Sequence, residues 1–163
     1  FGKNFIINLI IILTIFVIDR ITKIYIIYLD KKNFNSEIFS SKFLNLRLIW
    51  NEGIAFGLLS FQQENLYNIL TIVIFVVILS ILFLLKNAEG IKKYALLMIF
   101  GGAIGNFYDR IVFYAVPDFI DFHVGNFHWF IFNVSDIFIS LGVLFLITLE
   151  LINSKKDKID EKK

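Results

Sequence analysis

Long apolar runs cut by short polar stretches set the outline of this chain. Residues 4–28 are predominantly apolar from Phe5 to Ile18, and the apolar pattern resumes after Asp19-Arg20 as far as Tyr28. Some 24 residues rising about 1.5 Å each cover a hydrocarbon core of roughly 30 Å, so this stretch is predicted to be a transmembrane helix. A signal peptide is the competing reading of one Lys followed by an apolar run, but no small-residue cleavage site follows. Residues 66–85 form a second span, polar only at Asn68, Thr71 and Ser80. Residues 94–109 form a third, short one, with Gly101 and Gly105 at the spacing that lets helix backbones approach closely. The fourth runs over 130–152 and is followed by a charged tail, 153–163.

Two segments between the spans have a different pattern. Within 30–64, KFLNLRLIW alternates apolar and polar positions, the period of a half-buried strand, until the two glycines of NEGIAFG break it. The second segment, 111–129, contains the single Pro of the chain, Pro117, which interrupts any helix and is expected to hold Asp118 in a turn. The fold class is therefore a mainly α membrane protein: four transmembrane helices with a small extramembrane β-sheet, as one domain over 1–163. Basic residues set its orientation. Lys86, Lys92 and Lys93 in the 86–93 turn, Lys3, and the five Lys of the tail place both termini in the cytoplasm. Segments 30–64 and 111–129 then lie outside.

Composition agrees with a membrane protein. The chain is 58% hydrophobic and 18% charged, against about 25% charged in ordinary soluble domains. A formal charge of +2, scattered along the chain, gives no footprint for nucleic acid. The absence of Cys excludes disulfides and thiolate chemistry. His123 and His128 are the only imidazoles, and loop histidines at a membrane surface are more often bystanders than ligands. Neither a metal nor a cofactor is expected.

Against this background the stretch 101–136 is unusual. It carries Asp109, Arg110, Asp118, Asp121 and Asp136, and an ionisable group at the centre of a bilayer costs about 2.5–3.5 kcal/mol on insertion scales. Charges at helix ends can snorkel into headgroups, but Asp136 leads straight into IFISLGVLFLITLEL. With the orientation above, Asp19, the 106–110 group and Asp136 all fall at one depth, just below the outer surface. Asn106, Asp109 and Arg110 stand at i, i+3 and i+4 on one helical face, and Asn133 and Asp136 share another. Two carboxylates that converge in a low dielectric share a proton, and such a pair can activate water while protonating a departing amine. Spacing alone does not choose Asp118 over Asp121 or Asp109, and an Arg–Asp network that merely ties helices together is the plainer alternative. GxSxG and HExxH are absent, so nucleophilic and zinc proteolysis are unsupported.

The blocks DRITK (19–23), NEGIAFG (51–57), GGAIGNFYDR (101–110), VPDFIDF (116–122) and FNVSD (132–136) together resemble the lipoprotein signal peptidase family, also called signal peptidase II. The resemblance covers most of the chain, in order. It implies an intramembrane aspartic endopeptidase of the bacterial inner membrane that cuts signal peptides from prolipoproteins ahead of a diacylglyceryl-modified cysteine. It further implies that Asp118 and Asp136 are the catalytic pair, and that Asp19, Lys23, Asn51, Gly53, Asn106, Arg110 and Asn133 support the site or bind substrate. Lipidated prolipoproteins and membrane lipids are the implied partners, and a monomer is expected. Four positions depart from the family's usual residues: Arg20 for Gln, Pro117 for an aliphatic residue, Ser135 for Ala and Phe130 for Pro. A non-enzymatic carrier with a proton relay through Asp19, Arg110 and Asp136 is the rival reading. Such a relay calls for polar groups across the full membrane depth, and the cytoplasmic halves of these spans are nearly pure hydrocarbon. Another kind of intramembrane aspartic peptidase lacks support, since the chain has no GxGD.

Overall fold

A computed structural model describes residues 3–33, 37–53 and 64–160. Four helices, α1 (Lys3–Lys32), α2 (Glu64–Lys86), α3 (Gly90–Phe113) and α4 (Val134–Asp160), are each long and apolar enough to cross a membrane. Strands β1 (Phe39–Ser40), β2 (Leu44–Asn51), β3 (Val116–Val124) and β4 (Phe127–Phe132) form one antiparallel sheet in sequential order. Two of the strands come from the α1–α2 segment and two from the α3–α4 segment. Both connections therefore lie on the same side of the membrane, and the α2–α3 turn lies on the other.

Helix α3 is the central post and packs against each of the other three. Ile78 and Ile81 of α2, Ala88 of the turn, and Leu96, Ile99 and Phe100 of α3 form the buried apolar cluster. The remaining faces of α1, α2 and α4 point outward, with large side chains such as Ile24, Ile72 and Leu144 exposed as lipid contact requires. Gly105 lets α3 meet α1 and α4 at one point. A Cβ there would stand 2.3 Å from Ser135 Oγ and 2.8 Å from Asp19 Oδ2.

The sequence-based bounds shift in four places. The 111–129 segment is not a loop: β3 and β4 make a hairpin, joined at Gly125-Asn126 with Gly125 at φ +60°. A glycine with positive φ at the first central position is what a two-residue hairpin turn requires. Pro117 accordingly sits in a strand and not in a turn. It is tolerated because pairing with β4 starts only at Ile120, leaving β3 a single neighbour at that point. The fourth helix begins at Val134 rather than 130, since 127–132 pair with β3, and it continues to Asp160 through most of the supposed tail. The other three helices each extend past their expected ends. Residues 54–57 of NEGIAFG and 161–163 of the tail lie outside the described residues.

The strand expected in KFLNLRLIW is β2, with one interruption. Leu44 and Leu46 lie opposite Phe122 and Ile120, but Ile49 and Asn51 lie opposite Asp118 and Val116. A bulge between Leu46 and Ile49 adds one residue to β2 and so exchanges which face its side chains occupy. That exchange brings Asn51 to the face of Asp118.

Candidate active site

Asp118 and Asp136 approach from β3 and from the first turn of α4. Both line a cavity of about 350 Å³ with Asn51, Asn106, Arg110 and Asn133, closed on its apolar side by Leu70, Val73 and Ile74 of α2 and Ile139 of α4. Asp109, Asp121 and Asp19 do not line it. Geometry thus brings Asp118 and Asp136 to one cavity and leaves the other three acids outside it. Asp121 follows Asp118 by three residues in a strand, so the two point to opposite faces. Asp121 binds His128 Nδ1 at 2.9 Å and Arg47 at 3.1 Å on that other face. Asp109 shares a helix with Asn106 and Arg110 but turns to α1, where Arg20 and Lys23 hold it.

Each cavity carboxylate is bracketed by fixed amide donors. Asp118 accepts from Asn51 Nδ2 at 2.8 Å and from Asn133 Nδ2 at 2.6 Å. Asp136 accepts from Asn106 Nδ2 at 2.7 Å and from the backbone N–H of Asn133 at 3.1 Å. All three Asn amides are held by their own oxygens. Asn51 Oδ1 accepts from Gly53 N, Asn106 Oδ1 from Lys23 Nζ and Asn133 Oδ1 from Asp136 N. An amide whose oxygen is occupied must present its NH₂ to the carboxylate. Asn133 is therefore the N-cap of α4 and not a residue on its face. Its reciprocal bonds with Asp136, three residues on, form a capping box.

Burial pushes the Asp118 carboxyl up to about 6; Asp136 nearby adds to the rise, while the Asn133 and Asn51 amides and Lys23 oppose it. Arg110, also on the cavity, donates to Asn106 O at 3.2 Å and to Gly53 O at 3.0 Å. Gly53 is thus held at both its N–H and its carbonyl, which fixes the exit of β2 beside Asp118. Tyr67 Oη donates to Arg110 O at 3.0 Å and ties the top of α2 to α3. Behind the cavity, Asp19 and Asp109 are balanced by Arg20 and Lys23. Asp19 also accepts from the backbone N–H of Ser135 at 3.1 Å, satisfying a free amide at the start of α4.

All nine sequence-derived site residues come to this end of the bundle. Asp118, Asp136, Asn51, Asn106, Arg110 and Asn133 reach the cavity; Asp19, Lys23 and Gly53 stand behind it. Sequence reasoning assigned no place to Tyr67, to the α2 wall, or to Arg20 beyond its being a departure. Arg20 bridges Asp109 and Asp19. In an unbroken apolar helix such as α2, the positions facing the site carry no mark of their own.

Four apolar helices capped by a sheet, with two carboxylates on one cavity, define a multi-pass membrane protein with an acid pair at the sheet end. Comparison with known proteins narrows this. The model of the family described as signal peptidase (SPase) II matches residues 11–152, and the chain belongs to that peptidase family. The lipoprotein signal peptidase of Pelagibacter ubique (strain HTCC1062) is 53% identical over 155 residues, covering 94% of this chain and 93% of the relative. That of Anaplasma phagocytophilum (strain HZ) is 36% identical over 151 residues, covering 91% and 94%. A solved bacterial membrane enzyme, determined by the in meso method, matches with a TM-score of 0.71 at 29% identity, over 91% of this chain and 90% of that one.

Proposed function

We propose that this chain removes the signal peptide from prolipoproteins ahead of a diacylglyceryl-modified cysteine, with Asp118 and Asp136 as the catalytic pair. The observation that carries the reading is that these two carboxylates line one cavity, each bracketed by oriented donors. The family and the curated relatives supply the reaction type and the substrate class.

In this reading the pair holds one proton between its members. The ionised carboxylate takes a proton from a water as the water oxygen bonds to the scissile carbonyl carbon. The protonated partner gives its proton to the carbonyl oxygen, forming a neutral tetrahedral intermediate. That intermediate collapses, the C–N bond breaks, and the carboxyl that took the water proton delivers it to the departing amine. The hydroxyl proton returns to the other carboxylate as the new carboxyl group forms, so the pair ends with the single proton it began with. No metal or cofactor is required by these steps.

The site lies near the outer face of the bacterial inner membrane, with both termini in the cytoplasm. Support comes from Lys86, Lys92 and Lys93 at the end of the bundle remote from the sheet. Lipids pack against the exposed helix faces, and the protein acts as a monomer. A carrier is the weaker alternative, because the buried charged side chains of the described residues gather at the sheet end and do not span the bundle.

The test is a cleavage assay with purified protein in detergent. A prolipoprotein peptide bearing the diacylglyceryl cysteine is expected to lose its signal segment, read as a mass change, and the same peptide without lipid is expected to be cut far more slowly. An intact lipidated peptide after prolonged incubation would refute the reading.

A further inference from the structure

We infer that Lys23 is a positioning residue for Asp136, acting through the side chain of Asn106. The inference rests on the peptidase reading above and assigns a task to a residue that does not reach the cavity.

Lys23 is 1% exposed, an expensive place for an ammonium group unless it is paired and hydrogen-bonded. Lys23 Nζ donates to Asn106 Oδ1 at 2.9 Å and Asp109 Oδ2 at 2.6 Å, and it forms an ion pair with Asp19 Oδ1 at 3.0 Å. Two of these contacts balance its charge, and Arg20 takes the remaining positions on the same two acids, so the cluster of four is neutral. The third contact differs in kind, because its partner is uncharged and leads to the site. With Oδ1 committed to a cation, Asn106 can present only its NH₂ to Asp136, at 2.7 Å. Without that cation the amide is free to turn and set its oxygen against the carboxylate. Neither of the other oriented amides draws on a charge: Asn51 is held by Gly53 N and Asn133 by Asp136 N. Asp136 is thus linked through one neutral amide to a buried cation, and Asp118 has no such link.

Lys23→Met alone leaves an unbalanced acid, and misfolding would mask the effect. The informative variant is Lys23→Met/Asp109→Leu, which removes one charge of each sign, leaves Arg20 paired with Asp19, and offers no new donor to Asn106. Thermal stability in detergent is expected to stay near that of the parent. A lost hydrogen bond to a charged group predicts a kcat about 10- to 100-fold lower, with KM for the lipidated peptide within about twofold. Adding Asn106→Ala to this variant is expected to lower kcat no further than Asn106→Ala does alone. A double variant with parental kcat, or fully multiplicative losses in the triple variant, would overturn the inference. Failure of the parent protein to cleave would instead refute the peptidase reading, so the two failures are told apart.

Discussion

Asn133 and Asp136 cap each other: the Asn133 side chain accepts the backbone N–H of Asp136 at 3.2 Å, and the Asp136 carboxylate accepts the backbone N–H of Asn133 at 3.1 Å. A proposed catalytic group is thereby part of the device that starts its own helix. Asn133 further donates to Asp118 at 2.6 Å, so its side chain joins the Asp118 carboxylate to the backbone of Asp136. Replacing it should be costly in two ways. Asn133→Ala is expected to lower stability by about 1–2 kcal/mol, the usual worth of an N-cap, and to reduce turnover as well. Thermal melts and cleavage rates on one preparation would check this, and a variant with parental melting would contradict the capping role.

The acid pair makes the sharpest demand. Asp118→Asn and Asp136→Asn are each expected to lower kcat by at least about 10²-fold, since neither amide can take or return a proton. Asp121→Asn serves as the contrast, because Asp121 lies on the other face of the sheet with His128 and Arg47. It should keep most of the activity. Near-normal turnover in both single variants of the pair would remove the basis for an aspartic mechanism.

The raised Asp118 carboxyl has a consequence for stability against pH. Its value moves from 3.8 to about 6 on folding. The folded chain therefore binds more protons than the unfolded chain between those values, and the contribution of this group to stability falls as pH rises through them. Relative to Asp118→Asn, the parent should lose roughly 3 kcal/mol between about pH 3.5 and about pH 7. Melting of the two proteins across that range should show the gap moving in this direction, and a constant gap would argue against a buried, titrating Asp118.

Gly105 and Ser135 offer a packing test. A Cβ on residue 105 would stand 2.3 Å from Ser135 Oγ, a hydroxyl that is buried and without a hydrogen-bond partner. Gly105→Ala is expected to destabilise by about 1–3 kcal/mol through overpacking. Ser135→Ala removes both the clash and an unpaired hydroxyl, so it should stabilise the parent slightly and recover part of the loss in the double variant. Equal melting of Gly105→Ala with and without Ser135→Ala would show that the strain lies elsewhere, against Asp19.

Orientation is open to a direct check. A reporter fused after Lys163 should behave as cytoplasmic, and one inserted near Asn35 as external. The reverse pattern would move the site to the inner face.

The sequence disclosed the spans because twenty apolar residues in a row have few other uses, and it marked the stretch 101–136 because charge is rare in such a chain; the pairing of Asp118 with Asp136 came from the resemblance. What it hid has physical causes. The α2 residues that wall the cavity, Leu70, Val73 and Ile74, are as apolar as the face that meets lipid, so periodicity is blank there. The β3–β4 hairpin was legible in principle, since Gly125-Asn126 separates two strand-like runs. Pro117 drew the reading toward a turn. The bulge in β2 left no trace, because LRLIW contains apolar residues at both parities and supports either face.

The sheet that joins the two extramembrane segments bears on how the protein is made. Synthesis delivers Asn51, Asn106 and Asp118 before Asn133 and Asp136, which enter only with the last helix. A chain still being threaded into the bilayer holds half an acid pair, and the cluster on α1 and α3 awaits the amide of Ser135. The cavity is therefore completed in one event, when the fourth helix docks and brings Asn133 and Asp136 to Asp118 and Asn106.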